Sequence, residues 1–353
     1  MRILITGGAG FVGSHLALSF KREKRDSAVV ALDNLKRRGS EVALRRLAAG
    51  GVEFRHGDIR NPEDLADTGS LDLLIECSAE PSVQAGLNGG ERYLINTNLI
   101  GTVNCLDHAR RHDAAVVFLS TSRVYPIVPL RELPIVPTET RFVIPASNTG
   151  PGWSARGINE SFPLIGSRSL YGATKLCSEL IIGEYVALYG LRAVINRCGV
   201  LTGSWQMGKV DQGFVVLWAA RHLFGGALSY NGFGGAGLQV RDVLHVEDLY
   251  RLINNQVAQI ANHSGKIYNV GGGAERSVSL VELTEACVRH TGRHLVVTSQ
   301  PQTSPVDIPY YVTDNMAVSA ATGWRPRVSM SDILDDVFEW LRQHRGEVEA
   351  ILK

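Results

Sequence analysis

The chain has 353 residues, of which 44% are hydrophobic and 20% charged, and its formal net charge is +1. This composition suits one large α/β domain or a larger and a smaller domain, and it gives no reason to expect nucleic acid or a membrane as a partner. No apolar run is long enough to span a bilayer, and we expect no signal peptide. Five scattered cysteines without a CxxC pair or Cys/His cluster predict reduced thiols, no metal site and a cytoplasmic location.

The first predicted elements are a strand, a glycine turn and a helix. Arg2–Thr6 is a short apolar run, Gly7, Gly10 and Gly13 follow it, and helical spacing begins at Ser14. In such a unit the glycines allow a tight turn and let the backbone approach a pyrophosphate at the helix N-terminus. The segment therefore predicts a dinucleotide-binding turn, against the alternative of a glycine turn that binds no nucleotide.

The second predicted strand, Ala28–Leu32, ends in an acidic residue, Asp33. A carboxylate at this point accepts hydrogen bonds from a ribose 2′,3′-diol and repels a 2′-phosphate. Asp33 thus favours NAD over NADP, although the nearby Arg37 and Arg38 weaken the preference slightly.

Strand and helix patterns alternate to about residue 200. This predicts an α/β fold with a Rossmann-type, doubly wound parallel sheet, followed by a smaller mixed α+β substrate-binding domain. We expect residues 1–200 to form the NAD-binding domain and 201–353 mainly the second domain, with the chain crossing back around 238–262. The further predicted strands are Val52–Arg55, Leu71–Ile75, Ala115–Leu119 and Ala193–Asn196, and the intervening helices include Glu91–Arg111 and Tyr171–Tyr189.

Residues 126–168 interrupt this rhythm and hold seven of the 13 prolines. A loop of this length is uncommon in a compact domain unless it covers a site or is disordered. We interpret it as a lid on the substrate side, with a plain surface excursion as the alternative. Beyond it we expect Gly225–Gly237 to be loop and turn, and helices at Asp211–Phe224, Glu247–Asn262, Ser279–Thr291 and Met330–Arg345.

The segment from Ser169 to Lys175 carries a Tyr and a Lys four residues apart on one helical face. A cation about 4 Å from a phenolate, at an effective dielectric of about 20, stabilises it by roughly 4 kcal/mol, or about 3 pKa units. Tyr171 beside Lys175 can therefore act as an acid or base at neutral pH. The fifth strand ends in Ser120, Thr121 and Ser122, which adds a hydroxyl group at the same sheet edge.

These features together resemble the extended short-chain dehydrogenase/reductases, the nucleotide-sugar epimerases and dehydratases. The resemblance covers nearly the whole chain and implies that Thr121, Tyr171 and Lys175 are catalytic. It also implies that the cofactor is NAD and that the protein forms a homodimer or higher homo-oligomer. The matching motifs are Gly7, Gly10 and Gly13; Asp33; Asp58-Ile59; Asn98, Gly101 and Thr102; Thr121; Tyr171 and Lys175; Arg241 to Leu249; Asp307 to Asp314; and Gly323 to Pro326.

The resemblance also assigns binding residues. Besides the glycines and Asp33, the cofactor set contains Phe11, Val12, Asn34, Asp58, Ile59, Ser78, Ala79, Tyr171 and Lys175. The substrate set contains Ser82, Arg123, Gln206, Lys209, Gln212 and Arg241.

Within the family, unusual segments resemble those of 2-epimerases that act on CDP-linked sugars. The most specific is Gln206–Gly213, and it is accompanied by Glu76–Val83, Ser120–Tyr125, Arg156–Pro163 and Gln239–Val246. The implied reaction oxidises the sugar C2 hydroxyl with NAD, with Tyr171 as the base. The 2-keto sugar then turns and is reduced on its other face.

Several departures bear on the reaction. Dehydratases of the family usually carry an acidic pair after the catalytic Ser/Thr, whereas this chain has Ser122 and Arg123, which argues against 4,6-dehydration. Val200 replaces a usual Asn and Ser304 a usual Arg, so the grip on the diphosphate differs. A 4-epimerase or a net oxidoreductase on another nucleotide sugar is the enzyme alternative, and a silent NAD-binding scaffold is the non-enzyme alternative.

Overall fold

The structure is a computed structural model that describes residues 1–87, 89–209 and 212–353. It divides into two compact units. The first unit contains Met1–Val124, Ser169–Arg197 and Leu249–Tyr268, and the second contains Tyr125–Arg168, Cys198–Asp248 and Asn269–Lys353. The Pro-rich segment thus belongs to the second unit and not to the first, where the expected boundaries had placed it.

The strands follow the alternation that the sequence predicts. The predicted strand positions in the first unit are confirmed to within two residues at their starts. The strands are β1 Arg2–Thr6, β2 Ala28–Asp33, β3 Glu53–His56, β4 Leu73–Glu76, β5 Ala115–Thr121, β6 Val136–Pro137, β7 Phe142–Val143, β8 Thr149–Gly150, β9 Trp153–Ser154, β10 Gly157–Ile158, β11 Ala193–Cys198, β12 Val200–Thr202, β13 Leu228–Asn231, β14 Val240–His245, β15 Ile267–Val270, β16 Ser277–Ser279, β17 Val297–Gln300 and β18 Tyr310–Tyr311.

The helices agree less closely with the sequence at their ends. The helix predicted from Asp211 begins at Phe214, and Asp211 itself lies outside the described residues. The helices are α1 Phe11–Glu23, α2 Ala43–Ala49, α3 Pro62–Ala66, α4 Glu91–Ile95, α5 Gly101–Arg111, α6 Ile127–Arg131, α7 Leu170–Tyr189, α8 Phe214–Phe224, α9 Val246–Ala258, α10 Ile260–His263, α11 Leu280–Thr291, α12 Met316–Thr322, α13 Met330–Gln343 and α14 Arg345–Leu352.

The first unit is built on a seven-stranded parallel sheet with the order β15-β11-β5-β4-β1-β2-β3. Its central strands are largely apolar and buried because helices cover both faces, whereas the edge strand β3 is polar and exposed. Leu4, Leu74, Val116 and Phe118 belong to one buried cluster, which also takes residues from α5 and α7. The order reverses between β1 and β4, so the carboxyl ends of these strands form the crevice in which such folds bind ligands.

Two predicted elements differ from the structure. The helix predicted over Glu91–Arg111 is interrupted by a π-helical turn at Asn96–Ile100, a feature that often marks functional positions. The predicted loop Gly225–Gly237 contains a strand, β13, which pairs in parallel with β17. The alternation in Leu228–Asn231 is too short to stand out among the glycines, and its partner lies far along the chain.

The second unit carries a mixed sheet in the order β12-β14-β16, with β18 also paired to β14, and smaller two- and three-stranded sheets. The Pro-rich segment is fixed within this unit by two arginines. Arg131 donates to the carbonyl oxygens of Ser304, Pro305 and Asp307. Arg141 forms an ion pair with Glu282 in the capping box of α11. Its proposed lid function stays a prediction. Within the described ranges, no helix is long and apolar enough to cross a membrane.

Candidate active site

The glycine turn lies between β1 and α1 in the first unit. Gly7 has a φ of +63°, and a Cβ on Gly13 would lie 2.1 Å from the Gly7 carbonyl oxygen, so a side chain at either position is excluded. Gly10 precedes α1, whose first turn contains Phe11 and Val12. The N–H groups at the start of a helix have no partner within it, so this end of α1 offers donors to an anion.

Asp33 lies against this turn at the end of β2. Its carboxylate accepts hydrogen bonds from the Ala9 N–H at 3.1 Å and the Leu35 N–H at 2.8 Å. Burial raises the pKa of Asp33, and these backbone donors oppose the rise. Each carboxylate oxygen can accept further hydrogen bonds, which fits the hydroxyl groups of a ribose.

Asn34 and Asp58 form a second polar cluster just after the ends of β2 and β3. Asn34 donates to Asp58 at 2.8 Å, and Arg60 holds the other contacts of the Asp58 carboxylate at 2.6 and 3.0 Å. Burial opposes the ionised form of Asp58, but the hydrogen bonds from Arg60 and Asn34 outweigh it and lower its pKa to about 2. Arg60 and Lys36 also lie over the ring of Tyr93. The sequence patterns did not indicate Lys36, Arg60 or Tyr93, because the contacts of Tyr93 with the two cations join segments that are separate in the chain.

The loop after β4 contacts the glycine turn. A Cβ on Gly7 would lie 2.9 Å from the backbone of Cys77 and Ser78, which places the predicted cofactor residue Ser78 at the turn. The next predicted cofactor residue, Ala79, is half-buried. The side chain of Asn98 in the π turn binds the backbone of this loop. It accepts from the Glu80 N–H at 2.8 Å and donates to the Glu80 carbonyl oxygen at 3.1 Å. Ser82 lies further along the same loop, half-buried.

Thr121 is the last residue of β5 and is buried, with its hydroxyl oxygen accepting from the Arg123 N–H at 3.2 Å. Arg123 is half-buried in the turn that follows. Because Thr121 is the last residue of a strand in the parallel sheet, it lies at the carboxyl edge of that sheet, where the sequence predicts it.

Tyr171 and Lys175 lie in the first turns of α7, which packs against β5. Tyr171 is 9% exposed and Lys175 is 2% exposed. Ser169 caps the helix by accepting from the Gly172 N–H. The Lys175 ammonium lies 4.2 Å from the centroid of the Phe118 ring, an attractive cation–π contact in a desolvated position. The first unit therefore holds the predicted phenol and cation on one buried helical face.

A buried ion pair braces this region. Glu179, one turn after Lys175, accepts from Ser120 at 2.5 Å and pairs with Arg197 at 2.7 Å. The side chains of Glu179 and Arg197 are 2% and 4% exposed. Through these contacts α7 is tied to both β5 and β11, which fixes the predicted catalytic side chains of α7 relative to the sheet.

The residues of the first unit fit NAD. The start of α1 supplies backbone donors for a diphosphate, and the Asp33 carboxylate supplies acceptors for a ribose beside them. Gly7, Gly10, Gly13, Asp33 and the loop after β4 are brought together at this edge.

The predicted substrate residues Gln206, Lys209, Gln212 and Arg241 all lie in the second unit. Gln206 is buried, and its amide donates to the Leu201 carbonyl and accepts from the Thr202 hydroxyl, both at 2.9 Å. Gln206 thus shapes its own loop. Lys209 is exposed and exchanges backbone hydrogen bonds with Gln212, so these two residues lie side by side.

Arg241 on β14 already has partners within the second unit. Its guanidinium donates to the Asp307 carboxylate at 2.9 Å and to the carbonyl oxygens of Ile308 and Val240 at 2.6 and 2.8 Å. The sequence did not indicate that the two motifs containing Arg241 and Asp307 bind each other.

The loop before Gln206 is held by an aspartate that sequence reasoning missed. Asp336 accepts from the Ser204 N–H at 2.7 Å and lies 3.1 Å from His245. Trp205, which follows Ser204 in the chain, has a φ of +68°, a strained value for a bulky residue, and its ring packs against His344. Asp336 thus fixes the backbone that leads into the substrate segment.

The sequence comparisons identify the family. The profile of the NAD dependent epimerase/dehydratase family matches residues 3–271. The chain is 30% identical to CDP-paratose 2-epimerase from Salmonella typhi over 349 residues, which cover 96% of this chain and 99% of the relative. It is 27% identical to dTDP-glucose 4,6-dehydratase from Streptomyces niveus over 359 residues, covering 99% and 96%.

A solved structure gives the same result. A dTDP-glucose 4,6-dehydratase, DesIV from Streptomyces venezuelae, was solved with NAD bound and aligns with a TM-score of 0.78 at 28% identity. The alignment covers 99% of this chain and 100% of that chain. Together with the glycine turn, Asp33 and the Tyr171–Lys175 helix, these matches show that the chain belongs to the NAD-dependent epimerase/dehydratase family and that its cofactor is NAD.

Proposed function

We propose that the chain is an NAD-dependent nucleotide-sugar 2-epimerase that interconverts CDP-paratose and CDP-tyvelose. The observation that carries the proposal is the 30% identity with CDP-paratose 2-epimerase across 96% of the chain. The specific segment Gln206–Gly213 supports the same substrate class, and Lys209 and Gln212 lie together at its turn.

The residues after Thr121 favour epimerisation over dehydration. A 4,6-elimination must remove a proton from one sugar carbon and protonate the hydroxyl that leaves the next, so it needs an acid and a base. Ser122 is a buried hydroxyl and Arg123 a permanently charged guanidinium. Neither side chain is suited to exchange protons at neutral pH.

In the proposed reaction, the Tyr171 phenolate accepts the proton of the C2 hydroxyl while Lys175 stabilises its charge. The Thr121 hydroxyl orients the same sugar oxygen. When bound, NAD supplies the site that takes up the hydride from C2 and gives it back. Tyr171 then returns its proton to the oxygen after the sugar has turned, so the product differs from the substrate only in configuration at C2.

We also propose roles for the residues that bind the nucleotide sugar. Arg241 and Lys209 bind the diphosphate as cations, and Gln212 binds a neighbouring polar group. Ser82 and Arg123 remain predicted sugar contacts. Gln206 acts by shaping the loop, because its amide already bonds to Thr202 and Leu201.

Incubation of the purified protein with CDP-paratose, followed by NMR of the sugar C2 proton, tests the reaction. We expect conversion to CDP-tyvelose with no net NADH and, in deuterated water, no deuterium at C2, because the hydride returns internally. Solvent deuterium at C2 would contradict this mechanism.

GDP- and UDP-linked sugars and dTDP-glucose serve as comparison substrates. Net NADH would indicate an oxidoreductase. Formation of a 4-keto-6-deoxy sugar from dTDP-glucose would indicate a dehydratase, as in the Streptomyces niveus relative. Either result without C2 epimerisation would overturn the proposal.

We further propose that the protein forms a homodimer through α7. Its outer face exposes Leu180 and Leu188 at 67% and 68%, beside the exposed Cys177. Exposed leucines on one helical face are typical of a helix that pairs with another copy, and here the exposed Glu184 lies between them. Light scattering should show a dimer that Leu180→Glu weakens, whereas Ile165→Glu, at a more exposed site in the second unit, leaves it intact. A monomeric parent protein would refute the dimer.

A further inference from the structure

Glu76 is a buried carboxyl group that the proposed reaction does not use. It is the last residue of β4 and is 0% exposed. It follows Leu74 by two residues, so its side chain lies on the same face of the sheet as the apolar core. The strand register places Thr6 and Phe118 beside it. An ionised carboxylate is costly in such a position unless partners compensate it.

Hydrogen-bond donors are scarce around Glu76. Its Oε1 lies 2.6 Å from the Thr102 hydroxyl, which also lies 3.0 Å from the Asn98 carbonyl oxygen. A hydroxyl has one hydrogen, so Thr102 donates to one of the two at a time. In the described part of the chain, Glu76 Oε2 has no hydrogen-bond partner, and neither has the hydroxyl of Thr6. This scarcity favours the protonated acid.

Lys175 is the cation that offsets this cost. Its ammonium lies over Phe118, the register neighbour of Glu76. Burial raises the pKa of Glu76, while Lys175 and the Thr102 hydroxyl act in the opposite direction. A second titratable group near Glu76 is Cys105 on α5, where burial and Glu76 raise the pKa of the thiol well above its usual range. The thiol therefore stays neutral, and Lys175 carries the compensating charge.

We propose that Glu76 and Tyr171 compete for the charge of Lys175, so that ionisation of either acid makes ionisation of the other less favourable. Tyr171 lies one helical turn from Lys175, on the same face of α7. The ammonium stabilises either anion, but two anions around one cation repel each other. Glu76 is thus a positioning residue that acts through Lys175 and sets the pH at which Tyr171 becomes a base. The competition is an equilibrium property of the resting enzyme and adds no proton transfer to the reaction.

Two spectroscopic titrations of the NAD-bound protein test the competition. The tyrosinate absorbance that is present in the parent and absent from Tyr171→Phe reports the ionisation of Tyr171. The infrared band of a protonated carboxyl that is present in the parent and absent from Glu76→Gln reports the protonation of Glu76. The parent gives two apparent pKa values, and each variant gives the value of the remaining group alone. With competition, the sum of the parent values exceeds the sum of the variant values, whichever group ionises first. For charges about 10 Å apart at an effective dielectric of about 20, the excess is about one unit.

Equal sums would overturn the proposal, as would a change in stability of Glu76→Gln without any change in the Tyr171 titration. Glu63→Gln, at an exposed residue of α3, should leave both values unchanged. If Glu76→Gln does not fold, Thr102→Val provides the second test. It removes the hydroxyl that supports the carboxylate, so the carboxyl band should persist to higher pH, and an unchanged band would count against the proposal.

The inference rests on the proposed function only in taking Tyr171 as the catalytic base. Neither titration requires a substrate. An excess in the sum without C2 epimerisation would leave the competition standing and refute the reaction. Epimerisation at C2 without an excess in the sum of the pKa values would support the reaction and refute the competition.

Discussion

The two units prepare their charged side chains in different ways. In the first, Lys175 and Tyr171 are buried on a capped helix that the Glu179–Arg197 pair ties to the sheet. In the second, Lys209 is exposed on a turn, and Arg241 is engaged by Asp307.

This difference matches two chemical tasks. Groups that move a proton must keep their pKa values and geometry through the reaction, and burial with fixed partners maintains both. Groups that bind and release a charged nucleotide must exchange one partner for another, and half-exposed side chains do so at lower cost. Substitutions in each unit test whether the first unit is fixed and the second adjustable.

The largest effect should come from Tyr171→Phe. Loss of the phenol removes the acid–base group, so kcat should fall by about a thousandfold or more. NAD affinity should change little, because the ring remains. Steady-state kinetics and NAD binding by calorimetry measure the two effects.

Tyr185→Phe on the same helix is the matched control for this change. Burial and the Asp107 carboxylate raise the pKa of Tyr185 to about 12, so its phenol stays protonated at neutral pH. Its activity should be close to that of the parent. Comparable losses in both variants would mean that the effect comes from the helix and not from the phenol.

The next largest effect should come from breaking the buried Glu179–Arg197 ion pair. Glu179→Ala leaves Arg197 charged and unpaired in a buried position and removes the acceptor of Ser120, which should lower the free energy of unfolding by about 3–5 kcal/mol. Denaturant unfolding measures the loss.

Glu23→Ala, at an exposed position of α1 in the same unit, should cost less than about 0.5 kcal/mol. Replacing both members of the pair, as in Glu179→Leu with Arg197→Met, should recover much of the stability lost in Glu179→Ala. A small loss in Glu179→Ala would show that the first unit is not fixed by this pair.

Some of these features follow from local sequence patterns, and others do not. The glycine turn, Asp33 and the Tyr171–Lys175 spacing are local patterns, so the residues themselves determine them. The pairs Glu76–Thr102, Glu179–Arg197 and Arg241–Asp307 join segments 26, 18 and 66 residues apart. Their formation depends on the strand order and on helix packing, which no local spacing encodes.

The same limit explains the smaller differences. The π turn at Asn96–Ile100 lies within a continuous helical pattern, and tertiary contacts place Asn98 against Glu80 and Ser178. The Pro-rich segment was assigned by its position in the chain, but its arginine contacts place it in the second unit.

Burial in the first unit should also make it sensitive to acid. His108 on α5 is buried beside Thr68, and burial, with the charges of His112 and Arg111, lowers its pKa from 6.5 to about 4. The unfolded chain therefore binds a proton before the folded one as the pH falls. Stability should decrease by about 2 kcal/mol between these two pH values.

Denaturant unfolding of His108→Gln should show a flatter dependence on pH over this range than the parent. His294→Gln, at an exposed position of the second unit, should keep the parental dependence. An unchanged profile in His108→Gln would show that other groups cause the acid sensitivity.

The smallest effects should arise in the second unit, from opposite changes to one ion pair. Arg241→Ala removes a diphosphate ligand and should raise KM about tenfold, the loss of one charge-assisted hydrogen bond, with kcat little changed. Asp307→Asn keeps the acceptor for the Ile308 N–H but removes the charge that holds Arg241, so KM should fall. Steady-state kinetics with CDP-paratose distinguish the two directions. If both variants raise KM, the pair is a fixed structural element like Glu179–Arg197, and the distinction between a fixed and an adjustable unit fails. If only Arg241→Ala does so, Arg241 exchanges Asp307 for the substrate, as its half-buried position on β14 suggests.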